Sequence, residues 1–542
     1  VGSEMCIRDS RCMMRERERC DRGQPDAFGI LQQAFIRRMA FNMTPTKFPT
    51  EQILIASILA TIAFLLIYMV YVSIKKSRAV LVNGVRDKSD NFLVVWTLLA
   101  SLLLHILFSY YIVGHKTDIG CFTSWGNKIF RNGFQNFYNP QTNFPDYPPG
   151  YMYVLGLMAR IADLFGHGVY AADGSYDIFY VTMIKLPSII ADIGSAYLVY
   201  RLARKKLRFE AAYLLMCLAA FCPVFIYVSG GWGQIDQILS ILLVISIILL
   251  NSNKPILAGF VYGLSILLKP QALMAGPLLA IAYFCYIFDP DFFSPTGRKC
   301  TDGVGTRIMK TVVAVACACA LLIVSVIPFA DDTMPWYSII LQKYMGTATS
   351  YKYASVNAYN IYTLFGKNWT PITEKAILGL TYGQLGTVLM VLSVGFGGVL
   401  YFFGRKKHSG ALSLATAFTF ASLFTLGHYM HERYLFPVLL LLLVAYISYG
   451  DRRLISMFMC WSATTLVNCI AAFYYSKLHE YHLYWDERLV FWCSLANVIL
   501  FIIFCGICTD IMLRGRVKAD VFADDDVSAK AQKTVPARKA EK

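Results

Sequence analysis

Two carboxylates stand in one polar stretch between greasy segments: Asp118 in "DIGCFTSWGNKIF" (118–130) and Asp146 in "FPDYPPGYMYVLG" (144–156). A carboxylate held at the end of a membrane helix can take the proton of a sugar hydroxyl, and a second one nearby can position that hydroxyl or assist the first. The competing readings are structural: an interface or helix cap for Asp118, and a turn for Asp146, ahead of two prolines that stiffen the backbone. Further along, "SGGWGQID" (229–236) offers Trp232, Gln234 and Asp236, "KPQ" offers Lys269 and Gln271, and "SVNAYN" (355–360) offers Asn357 and Asn360. "GHYMHERYLFP" (427–437) packs His428, His431, Glu432 and Arg433 beside an apolar run.

An arginine can grip a phosphate or pyrophosphate with two parallel N–H donors. His431 can supply it with a hydrogen bond or a proton, and Glu432 can hold the arginine in place, or the cluster can be a structural pair. Lys269, Gln271 and Lys352 can add charge or amide hydrogen bonds at the same phosphate; a lysine snorkelling to the interface is the alternative. Trp232 can stack on an isoprene unit or a sugar, or serve as an interface tryptophan beside a glycine turn. Trp125 and Tyr147 complete the expected cleft wall. "HxxHE" is not the "HExxH" of zinc proteases, so neither a metal nor a cofactor is expected.

The elements that must position these groups follow from composition. The chain has 57% hydrophobic and 15% charged residues and a mean hydropathy of +0.51, well below the roughly one quarter charged residues of a soluble domain. Apolar runs of membrane-crossing length recur near 51–73, 92–113, 178–200, 211–228, 237–251, 255–270, 271–288, 311–328, 384–402, 411–427, 433–449, 453–475 and 489–510. They predict an all-α, polytopic membrane protein with about 12–13 transmembrane helices. Segments 120–132 and 150–165 have helical periodicity but are short or polar, and read as interfacial helices in the first large outward loop. The fifteen cysteines show no zinc spacing and fall largely inside apolar runs, as small buried hydrophobes do.

The net charge of +16 is a topology signal before it is a nucleic-acid one. Basic clusters at 75–78, 201–208, 297–310, 404–407, 451–453 and 514–516 can all lie on the cytoplasmic side at once. That parity sends 114–177, 229–236, 329–383, 428–432, 476–488 and the turn at Lys269 to the opposite face. Ionisable groups at membrane depth cost several kcal/mol unless solvated or paired, so their gathering on one side predicts a hydrated cleft there. The expected organisation is an N-terminal segment 1–50, disordered and partly read-through; an extra helix and linker 51–90; a catalytic membrane domain 91–510; and a disordered cytoplasmic tail 511–542.

Taken in order, "TDI…W", "YPPGY", "GWGQID", "LKPQ", "SVNAYN" and "HERYLFP" resemble multi-pass glycosyltransferases of the C-type (GT-C) fold. The resemblance is to the bacterial and archaeal group described as similar to the second mannosyltransferase of glycosylphosphatidylinositol assembly, over about 92–510. It implies a polyprenyl- or dolichyl-phosphate-linked hexose donor, typically mannose or glucose and most simply mannose, passed with inversion to a glycan or glycolipid acceptor on the outer face. It also makes Asp118 the first-loop catalytic carboxylate and sets "HER" beside the lipid phosphate. The host membrane is then a bacterial plasma membrane or the endoplasmic reticulum, with no nucleic-acid partner. The absence of a nucleotide-cradling glycine loop fits a lipid-linked donor. The alternatives are a protein O-mannosyltransferase-like enzyme and a lipid-linked sugar transporter or flippase; for the last, no inverted repeat is visible.

Overall fold

The computed structural model describes residues 88–519 apart from 141–142, 144, 208, 298–300, 347–350 and 481–486. The expected first span at 51–73, the N-terminal segment and most of the tail therefore lie outside the described residues. Among those described, each of the twelve remaining apolar runs forms a helix. Eight are long and apolar enough to cross a membrane, and four are shorter: Asp236–Asn251, Pro255–Leu268, Ala411–Leu426 and Phe436–Tyr449. The chain is an all-helical, multi-pass membrane protein.

Helix α1 is Lys88–Tyr111, α2 Lys116–Asn132, α3 Pro149–Leu164 and α4 Ile178–Ala203. The next span is built in three pieces, α5 Phe209–Ala220, α6 Pro223–Ile226 and a π-helical turn Tyr227–Trp232. The short helices are α7 Asp236–Asn251 and α8 Pro255–Leu268, followed by α9 Gly276–Phe288, α10 Val304–Val326, α11 Trp336–Leu341 and α12 Ile361–Leu364. Helices α13 Tyr382–Gly404, α14 Ala411–Leu426, α15 Phe436–Tyr449, α16 Arg452–Glu480 and α17 Glu487–Cys508 complete the bundle.

Burial explains why α14 and α15 are apolar all round: nearly every residue from Ala411 to Thr425 and from Phe436 to Tyr449 is buried, as expected of helices enclosed by others. By contrast α1, α10 and α13 leave large apolar side chains such as Trp96, Val315 and Val391 uncovered, the faces a bilayer would cover. Helix α2 is amphipathic, with Ile119, Phe122, Thr123, Gly126 and Ile129 buried on one stripe. That stripe packs on α3, so closely that a Cβ at Gly126 would lie 3.0 Å from the Leu155 carbonyl oxygen.

The short helices leave room at one end of the bundle. A spanning helix needs about 20 residues, and non-helical backbone at membrane depth is tolerated only where protein or a hydrated cavity surrounds it. Helix α7 starts at Asp236, α8 stops one residue before Lys269, and the 427–435 turn separates α14 from α15. The ionisable groups thus sit where these helices end. The only strand pairing among the described residues is a two-stranded parallel platform, Ser355–Val356 with Met430–His431. At the other end a separate polar network joins Asp289 to Arg405 (3.0 Å), Arg453 to Asp510 (2.7 Å) and Lys407 to the Leu513 carbonyl (2.7 Å).

Candidate active site

Asp118 lies in the first turn of α2, where the helix dipole favours a carboxylate. It is not the cap: His115 holds that position, without a side-chain capping bond. The Trp232 indole N–H donates to Asp118 Oδ2 at 2.6 Å, His115 Nδ1 stands 3.5 Å from the same oxygen, and an Arg433 guanidinium nitrogen 3.8 Å from it. Burial pushes the Asp118 carboxyl up, but His115, Arg433 and the indole outweigh it and hold the group below its ordinary value. The side chain remains 26% exposed. It is therefore an ionised carboxylate, fixed in orientation and open on one side.

Arg433 is the hub. It pairs with Glu432, stands 3.7 Å from Asp236 Oδ2, and lies 4.6 Å over the Trp232 ring. Glu432 does hold the arginine, as its neighbouring position suggests. Asp236 is not at the mouth of the cleft, as its sequence position implies, but fully buried, its other oxygen 2.7 Å from Lys269 Nζ. Lys269 thus meets a carboxylate rather than free solvent. Beside it Gln271 is buried with neither polar amide atom hydrogen-bonded, and the same holds for Gln237 in the first turn of α7. A buried polar atom without a partner costs about 1–3 kcal/mol, so these amides mark places where water or substrate would be held.

Trp232 corrects an expectation. It is 2% exposed, His115 stacks on it at 5.1 Å, Phe473 meets it edge-on and Arg433 covers it. No ring face is left for an isoprene or a sugar; its work is to hold Asp118. Trp125 is buried as well, in an aromatic group with Phe122, Tyr147 and Tyr151. Tyr147 reaches the polar side of that group, where its hydroxyl donates to Gln234 Oε1 at 2.9 Å.

Asp146 stands on the other side of the cluster and differs from Asp118. Burial and the Asp118 charge raise its carboxyl to about 6, against the opposing pull of Lys343 and Arg433. Lys343, which no motif singled out, donates to the Pro145 carbonyl at 2.5 Å and lies 5.1 Å from the Tyr138 ring. Burial lowers its ammonium to about 8. His431 packs edge-on against Tyr351 and is pushed down to about 3 by burial and the Arg433 and Lys269 charges, so it is a neutral imidazole at physiological pH.

Three expected residues stand apart from this cluster. Asn360 caps α12 and donates to the Phe424 carbonyl at 3.1 Å. Asn357 accepts from Asn368 and the Trp369 indole. His428 stacks on Tyr429 at 4.0 Å and packs at Gly386 of α13. They flank the Ser355–Val356 and Met430–His431 platform, and Asn357 is bridged to His431 through the backbone. Among the described residues no three His, Cys, Asp or Glu side chains converge as a metal-ion group.

Residues 137–343 match the ALG6, ALG8 glycosyltransferase family, which takes in Tyr147, Trp232, Asp236, Lys269 and Lys343 but less than half of the chain. A curated protein of Arabidopsis thaliana, dolichyl pyrophosphate Glc1Man9GlcNAc2 alpha-1,3-glucosyltransferase, is 22% identical over 412 residues, covering 70% of this chain and 78% of its own. The crystal structure of the Archaeoglobus fulgidus oligosaccharyltransferase overlays on 76% of this chain with 14% identity and a TM-score of 0.30, too loosely for residues to be compared; the chain spans 55% of that protein's length. On these matches the chain is a membrane hexosyltransferase that is similar, over residues 137–343, to the ALG6, ALG8 glycosyltransferase family.

Proposed function

We propose that the chain transfers a hexose, glucose rather than mannose, from a dolichyl- or polyprenyl-phosphate-linked donor to a lipid-linked glycan, with inversion, on the non-cytoplasmic face of its membrane. The observation that carries the reading is the Asp118–Arg433 pair, a base and a phosphate-gripping cation 3.8 Å apart. The mannose expectation came with a mannosyltransferase resemblance; the matched relative is named as a glucosyltransferase. The transporter alternative gives way to the transferase.

The step balances simply. Asp118 takes the proton of the acceptor hydroxyl as its oxygen attacks the anomeric carbon, and the bond from that carbon to the phosphate oxygen breaks with its electron pair leaving on the phosphate. Arg433 meets that charge where water is largely excluded, which is where such an interaction counts most. Neutral His431 and the unpaired Gln271 amide can donate to the remaining phosphate oxygens. Asp146 and Tyr147 orient the acceptor. The residue assignments belong to this proposal.

The test is an assay of purified enzyme with dolichyl-phosphate glucose, dolichyl-phosphate mannose and a nucleotide glucose, each with and without a chelator. Turnover of the glucosyl lipid alone, unaffected by chelation, is expected. Turnover of only the nucleotide sugar would remove the donor assignment. In the same assay Asp118→Asn, nearly isosteric, is expected to lose on the order of 10²-fold or more in kcat while retaining donor binding.

A further inference from the structure

Lys185 lies inside the spanning helix α4 and is fully buried. A lysine at that depth costs several kcal/mol unless it is paired or solvated. Its ammonium donates to three backbone carbonyls: Ile112 at 2.6 Å, Gly230 at 2.8 Å and Gly231 at 3.0 Å. All three of its N–H donors are satisfied by these.

The acceptors explain why a cation is there. Ile112 directly follows the end of α1, and Gly230 and Gly231 close the π-helical turn that ends at Trp232. Carbonyls at helix ends lack backbone partners and carry the negative pole of the helix dipole. In the π turn, the N–H groups of Gly233 and Gln234 both turn back to Val228, so they do not reach the carbonyls of Gly230 and Gly231. One ammonium therefore joins the C-terminal ends of two helices.

Those two ends lead straight into the reacting groups. The first runs through Gly114 and His115 to Asp118; the second presents Trp232, whose N–H holds Asp118 at 2.6 Å. The segments are also in backbone contact: the His115 N–H donates to the Trp232 carbonyl at 3.3 Å. A Cβ at Gly233 would lie 3.2 Å from Lys185 Cε, so the lysine stem packs under the same turn. We infer that Lys185 is a positioning residue for the transfer, clamping the end of α1 to the π turn so that the Trp232 indole stays aimed at Asp118. This rests on the reading of Asp118 as the base.

Removing the clamp lets the two segments drift, and a shift of about 1 Å at a reacting group costs on the order of 10²-fold in rate. Lys185→Met is expected to lower kcat on the order of 10-fold to 100-fold, with the donor KM changed by less than about 3-fold. In an Asp146→Asn background, which lacks the limb near pH 6, Lys185→Met should move the remaining acid limb to higher pH, because Asp118 loses part of the hydrogen bonding that keeps it ionised. If Lys185 acts through the indole, Lys185→Met combined with Trp232→Phe will be little worse than the poorer single variant, and Lys185→Arg will restore part of the rate. Should Lys185→Met not purify as a folded protein, Lys185→Gln, which keeps two amide donors, is read the same way. Wild-type kcat in the clamp variant, or losses that multiply as independent effects with Trp232→Phe, would overturn the proposal. Full activity of Asp118→Asn would instead overturn the base assignment, a separate result read on a separate variant.

Discussion

Asp118 and Asp146 carry the same carboxyl group and are driven in opposite directions by what surrounds them. His115, Arg433 and the indole hold Asp118 down; burial and the Asp118 charge hold Asp146 up, at about 6. Such a split separates roles in a two-carboxylate site. An Asp146 that accepts a hydrogen bond from the acceptor must be ionised, so activity should fall as pH drops through about 6. Asp146→Asn should lower the plateau and remove that limb, which a pH–rate profile of the two proteins checks. The sign for stability is the reverse. A raised carboxyl binds its proton more tightly folded than unfolded, so stability falls as pH rises from the ordinary carboxylate value to about 6, and the penalty is complete above that. Asp146→Asn should therefore melt higher than wild type near pH 7.5, and a lower melting temperature would contradict the assignment. Of the groups that set these environments only His115 is local, three residues from Asp118; Trp232, Arg433 and Lys343 come from distant segments, so the split cannot be read from the sequence. Lys185 is different: a lone lysine inside a 26-residue span is a visible signal, since membrane-buried charge rarely lacks a function.

At the scale of elements, apolar run length located twelve described helices, but only eight of them, fewer than the expected 12–13, are long and apolar enough to cross a membrane; hydropathy and backbone hydrogen bonding leave a bilayer-crossing chain few other choices. What run length could not show is how helix ends meet. "SVNAYN" looks like cleft lining in sequence, yet its Ser355–Val356 pair with Met430–His431 as a parallel platform, and its amides are bonded to neighbouring protein groups. The sequon "NWT" at 368–370 shows the consequence. Asn368 Oδ1 accepts from the Asn357 N–H at 2.8 Å while its amide nitrogen donates to Asn357 Oδ1 at 3.0 Å. The nitrogen that a glycan would occupy is thus already bonded into the platform. Expression in a glycosylating eukaryotic host should leave Asn368 unmodified, by mass spectrometry of the tryptic peptide. Stoichiometric glycan there would mean that this loop is open when the enzyme meets the modification machinery.

The whole molecule has two chemically distinct ends. Asp118, Asp146, Asp236, Lys269 and Arg433 gather where short helices stop, and Asp289, Arg405, Arg453 and Asp510 form the network at the other end. The basic clusters at 404–407, 451–453 and 514–516 belong to the second end, which we propose faces the cytoplasm, given the excess of lysine and arginine in its short loops. The sequence carried this division because charge parity and helix count are both written along the chain, although the segment before residue 88 lies outside the described structure. The assignment predicts which side reagents must come from. On a background cleared of reactive thiols, Leu378→Cys, 93% exposed in the loop before α13, should react with an impermeant maleimide added to the non-cytoplasmic side of sealed vesicles. Lys406→Cys, at a side chain 57% exposed beside Asp289, should react only from the cytoplasmic side. Both positions lie away from the reacting groups, so activity can certify each variant as folded before it is labelled. The reverse pattern at both positions would place the Asp118–Arg433 cluster on the cytoplasmic side, within reach of soluble nucleotide sugars. The main physical reason for a lipid-linked donor on the outer face would then be gone.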